Sequence, residues 1–107
     1  MDIDTAALEV VDNPAARRFE IHIGDEVAFV RYRREANTIA YIHTEVPEAL
    51  EGHGIAGRLA AHALAYARVH NLRVVPLCPY VAAYIERHPE YNDLIAPRAE
   101  WSAFLRG

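Results

Sequence analysis

Val46-Pro47-Glu48-Ala49-Leu50-Glu51-Gly52-His53-Gly54-Ile55-Ala56-Gly57-Arg58-Leu59 is the stretch that decides the fold. A strand-like run leads into it and a helical period leads out. Glycines at such a junction let backbone amides approach an anion with no Cβ in the way. The first N–H groups of a helix have no internal partner and carry the positive end of the helix dipole. The junction therefore reads as an anion site, with Arg58 placed to add a charge-assisted contact. It reads equally as a tight turn that packs a helix close to a strand. A P-loop is excluded, because that motif needs a Lys-Ser or Lys-Thr pair and the chain has no Lys. A Rossmann loop follows the first strand of a parallel unit, whereas this loop follows a third antiparallel strand.

Upstream, Phe19, Ile21 and Ile23 alternate with Glu20 and His22, the pattern of a half-buried strand. Gly24-Asp25 predicts a tight hairpin into a second strand, Val27 to Arg33. Glu35-Ala36-Asn37 predicts another turn, and Thr38 to Val46 a third strand rich in β-branched and aromatic residues. Residues 1–17 read as a lead-in, with Asp12-Asn13-Pro14 as a turn. Downstream, Ile55, Leu59, Ala63, Leu64 and Ala67 recur at helical spacing up to His70. Leu72 to Cys78 reads as a short strand ended by Pro79, and Val81 to Arg87 as a helix closed by His88-Pro89. The tail from Arg98 to Gly107 predicts one more short helix, with Trp101 and Phe104 covering the core or a partner surface. The order β-β-β-α-β-α implies an α+β sheet with helices packed on it.

At 107 residues the chain suits one domain, 1–107, with a core from about 19 to 95. A net charge of -4 argues against nucleic acid as a partner. No apolar run approaches the roughly 20 residues of a membrane helix. The acidic start Met1-Asp2-Ile3-Asp4 lacks the pattern of a signal peptide, and Cys78 has no second cysteine to pair with. A reducing cytoplasm is the expected compartment. His22, His53, His62 and His70 do not make a metal-ligand spacing, so no metal is expected.

Four blocks in order resemble the GNAT superfamily of N-acetyltransferases, specifically its small single-domain members of uncharacterised substrate. They are His43-Thr44-Glu45-Val46, Gly52-His53-Gly54-Ile55-Ala56, Pro76-Leu77-Cys78-Pro79-Tyr80 and Tyr84-Ile85-Glu86-Arg87-His88-Pro89-Glu90-Tyr91. The resemblance covers roughly residues 19–95. It implies a minimal GNAT-like fold, an antiparallel three-strand meander followed by helix, strand and helix. It also implies acetyl-CoA as co-substrate and transfer of its acetyl group to a primary amine. Glu45, Val46, Gly52, His53, Gly54, Ile55, Ala56, Gly57 and Arg58 would then hold the cofactor. Glu51 stands where Gln or Arg is usual, which leaves the backbone as the main pyrophosphate ligand. Larger members place two helices between the first two strands. Here only Gly24-Asp25 stands there, which implies an open acceptor side and a large or protein-borne amine. A non-catalytic acyl-CoA-binding or interaction module is the competing expectation.

Four residues are candidates for the chemistry, among them Glu45, a second candidate base after His43 with solvated surface as its alternative. A free amine has a pKa of about 10.4, so a base, a water relay or desolvation must neutralise it. His43 is the first candidate base, and strand alternation predicts it on the same face as Tyr41 and Glu45. A partly exposed strand histidine is the alternative. Cys78 ends the strand expected beside the third one, where the resemblance puts the thioester. It is either an acyl-accepting nucleophile or a small buried hydrophobe. Tyr84, on a helical face with Tyr80, is a candidate proton donor to the leaving thiolate or a packing residue.

Overall fold

The computed structural model describes residues 3–105; Met1-Asp2 and Arg106-Gly107, included above in the lead-in and the tail, lie outside it. Five strands form one sheet in chain order: β1 (Val11–Asn13), β2 (Arg18–Ile23), β3 (Glu26–Glu35), β4 (Thr38–Glu45) and β5 (Arg73–Pro76). The expected three-strand meander is β2, β3 and β4, each pair antiparallel. Gly24 makes the first hairpin at φ +57, where an L side chain is strained. β5 then pairs with β4 in parallel, after the long crossover helix α1 (Ile55–Val69). Helix α2 (Pro79–Arg87) and the short α3 (Ser102–Leu105) complete the α+β architecture.

Two details go beyond the sequence reading. The lead-in contributes β1, which pairs antiparallel with β2. Its three residues are mostly exposed and carry no alternation to betray them. Helix α2 begins at Pro79, two residues before the expected start, because proline suits the first turn, where its missing N–H has no partner to lose.

One face of the sheet is apolar and dry. Phe19 and Ile21 of β2, Val30 of β3, and Ile39 and Tyr41 of β4 are fully buried against Leu59, Ala63 and Leu64 of α1. The Tyr41 hydroxyl donates to the Ala63 carbonyl, which satisfies the polar end of the ring inside the core. The opposite face is covered near β5 by the tail. There Phe104 and Trp101 pack with Ala40, Val75 and Ala96, as the sequence reading expects of them.

Nearer β2 the second face turns polar. Glu20 is 3% exposed, yet its carboxylate is fully partnered. Arg18 Nε and Asn13 Nδ2 donate to Oε2 at 2.8 and 3.1 Å, and His22 Nε2 lies 2.8 Å from Oε1. Burial raises the Glu20 pKa, but the bonds from His22, Arg18 and Asn13 outweigh it and hold the carboxyl below its ordinary range. A lowered carboxylate pKa contributes stability above the ordinary glutamate range. That contribution is lost as pH falls through the lowered value. Glu20→Gln should therefore destabilise the fold by about 1–3 kcal/mol at neutral pH. The deficit against wild type should shrink in acid, which urea titrations at several pH values would measure.

Candidate functional site

β4 delivers the chain to Val46, a single turn of 3-10 helix (Glu48–Leu50) follows, and α1 starts at Ile55. Leu50 is fully buried and anchors the turn to the core. Gly52 and Gly54 adopt φ +84 and +75, the left-handed region that glycine enters freely. Gly54 is the N-cap of α1, and no side chain caps the helix. The amides of its first turn are therefore available to a ligand. They open on a shallow cleft of about 150 Å³. Of the predicted cofactor residues, Val46, Gly52, Gly54, Ile55, Ala56 and Gly57 line this cleft, joined by Leu50, Glu51 and Tyr80.

The remaining predicted cofactor residues stand off that wall. Glu45 is exposed at the end of β4. The His53 carbonyl accepts a hydrogen bond from Thr5, and His53 does not line the cleft. Arg58 lies beside His62, whose pKa is lowered first by burial and then by the Arg58 charge. Arg58 Nε is buried without a hydrogen-bond partner.

The end of β4 is built around an irregularity. Val30 pairs with Thr44 and Arg31 with His43, but Tyr32 pairs with Tyr41, so Ile42 is an extra residue without an opposite number. Residues directly opposite one another share a face. The bulge thus places Thr44 on the face of Tyr41, towards α1, and turns His43 and Glu45 to the other side. This corrects the expectation that His43 shares the Tyr41 face. Uninterrupted alternation would place it there, but the inserted residue shifts the phase by one. His43 and Glu45 remain neighbours, with His43 Nε2 3.7 Å from the Glu45 carboxylate and its ring centroid 6.2 Å from that of Phe29.

At the same place β4 and β5 part. Their ladder runs from Thr38–Arg73 to Tyr41–Pro76, and the Cys78 amide adds one bond to the Tyr41 carbonyl at 2.8 Å. From Ile42 to Glu45, no strand among the described residues lies beside β4 on that edge. Cys78 sits at the point of separation as the N-cap of α2, 2% exposed, with Sγ 3.3 Å from Thr44 Oγ1. Among the described residues no histidine or carboxylate bonds the thiol. Thr44 is the partner that sequence reasoning missed, because the bulge that aims it leaves no trace in the residue pattern.

Helix α2 presents its tyrosines to the glycine loop. A Cβ on Gly57 would lie 3.5 Å from the Tyr80 hydroxyl and 4.0 Å from the Tyr84 ring. Tyr84 stacks on His88 with centroids 4.1 Å apart. Burial, then the neighbouring Tyr91, raises its pKa, so it stays protonated at neutral pH. Tyr80 and Tyr84 thus lie against Gly57, and Thr44 against Cys78 where β4 and β5 part. His43 and Glu45 lie on the opposite face of β4 from Thr44. No metal-binding group of three His, Cys, Asp or Glu occurs among the described residues. No helix among them is long and apolar enough to cross a membrane.

A family model for the GCN5-related N-acetyl-transferases matches residues 18–94. Protein NATD1 of Danio rerio is 30% identical over 100 residues, covering 89% of this chain and 90% of the relative. Protein NATD1 of Xenopus tropicalis is 26% identical over 98 residues, covering 87% and 90%. The solution structure of a GCN5-like protein from Staphylococcus aureus superposes with a TM-score of 0.66 at 26% identity, covering 83% of this chain and 88% of that one.

Gly54 and Gly57 should respond differently to alanine. Gly54→Ala forces a Cβ into the left-handed region and should cost about 1–2 kcal/mol. Gly57→Ala meets only ordinary contacts inside a helix and should be neutral or stabilising by about 0.5–1 kcal/mol. Urea unfolding of the two variants checks this contrast.

Proposed function

The chain belongs to the GCN5-related N-acetyltransferase family, and on that premise we propose that it transfers an acetyl group from acetyl-CoA to a primary amine in a ternary complex. The observation that carries this reading is continuity: Val46, at the end of the unpaired β4 edge, also lines the cleft that the glycine amides face. A pyrophosphate bound at Gly52 to Gly57 can send its pantetheine arm along that edge. The thioester then comes to the point where β4 and β5 separate, near Thr44 and Cys78.

In this arrangement the amide near Glu45-Val46 donates to the thioester oxygen as negative charge develops. The acceptor amine enters from the opposite face, where His43 and Glu45 stand. Its nitrogen attacks the carbonyl carbon and gives up its proton to His43, directly or through water. The C–S bond breaks and the CoA thiolate takes a proton from Tyr84. Orientation of the two reactants supplies much of the rate, about 7–11 kcal/mol in well-ordered cases. With only the Gly24 turn between β2 and β3, the acceptor side is open enough for a large or protein-borne amine.

A second route runs through Cys78. Its support is position: the thiol lies where the two strands separate, within reach of the Thr44 hydroxyl. There Sγ gives up its proton and attacks the thioester carbonyl, and CoA leaves as a thiolate that takes a proton; the amine then attacks the Cys78 thioester, loses a proton and expels the Cys78 thiolate.

Calorimetric titration with CoA and an acetyl-CoA assay over a panel of amines test the proposal. Binding with transfer supports it, binding with no transfer to any amine favours a non-catalytic module, and absence of CoA binding removes both. Cys78→Ala should retain turnover. Lost turnover, together with acetylated wild-type protein by intact mass, would establish the covalent route instead. The pair His43→Ala and Glu45→Gln should lower turnover roughly a hundredfold while leaving CoA affinity unchanged.

A further inference from the structure

The N-terminal segment packs beside the glycine loop. Ile3, Leu8 and Val10 pack against the core and hold it there, and Thr5–Ala7 form one turn of 3-10 helix. Thr5 Oγ1 donates a hydrogen bond to the His53 carbonyl. Its methyl group reaches within 4.0 Å of where a Cβ of Gly54 would stand. Among the described residues, no other side chain hydrogen-bonds the loop backbone between Glu51 and Gly57.

The geometry of the peptide unit gives that bond a consequence. The His53–Gly54 peptide bond is trans, so the C=O of His53 and the N–H of Gly54 point in opposite directions. Thr5 and His53 stand off the cleft, whereas Gly52 and Gly54 line it. Because Thr5 holds the His53 carbonyl, the Gly54 N–H points away from Thr5, and Gly54 lines the cleft. The anchor matters because one side of this peptide is Gly54, in the left-handed region and with no Cβ to resist its rotation. Left free, that peptide would present its carbonyl to the cleft in part of the population and repel an anion.

We propose that Thr5 is a positioning residue for the pyrophosphate subsite, acting from outside the cleft through the His53–Gly54 peptide. The proposal rests on the acetyl-CoA reading above. Thr5→Val keeps the side-chain shape and removes the donor, so it should weaken CoA binding roughly five- to tenfold at an unchanged unfolding midpoint. Thr5→Ser keeps the hydroxyl and loses the methyl, so it should bind CoA like wild type even if Thr5→Val fails to fold. In ¹⁵N spectra of wild type, the Gly54 amide should shift on addition of CoA. Equal affinity of Thr5→Val and wild type would overturn the role of Thr5 alone, as would equally weak binding by folded Thr5→Ser. Wild type that binds no CoA would overturn the cofactor reading as well.

Discussion

The extra residue at Ile42 is the constraint on which the site depends. Without it β4 would alternate regularly, with Thr44 on the outer face and His43 against the core. One insertion reverses both. It brings the Thr44 hydroxyl to the Cys78 thiol and leaves His43 and Glu45 half-exposed on the far side. The reversal occurs where the β4–β5 ladder ends, so the change of side-chain phase and the opening of the sheet coincide. A sheet normally separates its two faces. In the proposed function the donor and acceptor meet where β4 and β5 part.

Around that gap each neighbour has a separate physical task. Buried Leu50 fixes the turn that raises the glycine loop, and Gly54 starts α1 without a side-chain cap. Pro79 starts α2 immediately after Cys78, so the thiol and the two tyrosines are placed by one rigid helix. On the other face, Phe104 and Trp101 of the tail cover Ala40 and Val75 up to β5. Beyond them, buried Glu20 is neutralised by its own ring of partners.

Much of this was legible in the residues. The meander could be read because Phe19-Glu20-Ile21 and Thr38 to Tyr41 carry strong strand signals, and α1 because Leu59, Ala63 and Leu64 keep a helical period. The cleft could be read because glycine is the residue that tolerates the backbone found at positions 52 and 54. The phase of β4 could not. Ile42-His43-Thr44 looks like ordinary alternation, and the bulge is decided by pairing with Arg31 and Tyr32, a long-range contact that local pattern does not encode. β1 escaped notice for a related reason. An exposed three-residue edge strand needs backbone pairing more than any particular side chain. Arg58 shows a third limit, since helical position places a side chain on a face without saying which neighbour it will meet.

The mixed pairing within the sheet also orders the assembly of the molecule. β2, β3 and β4 are joined by two short turns, so their pairing closes small loops at little entropic cost. The β4–β5 ladder spans only four residue pairs and must wait until the whole glycine loop and α1 have been folded back. The cleft is therefore bounded on one side by early, local structure and on the other by the most distant pairing in the sheet. An opening fluctuation that releases β5 and α2 while the meander stays intact would widen the space between β4 and Cys78. The two walls of the site thus differ in how cheaply they move as well as in what they carry.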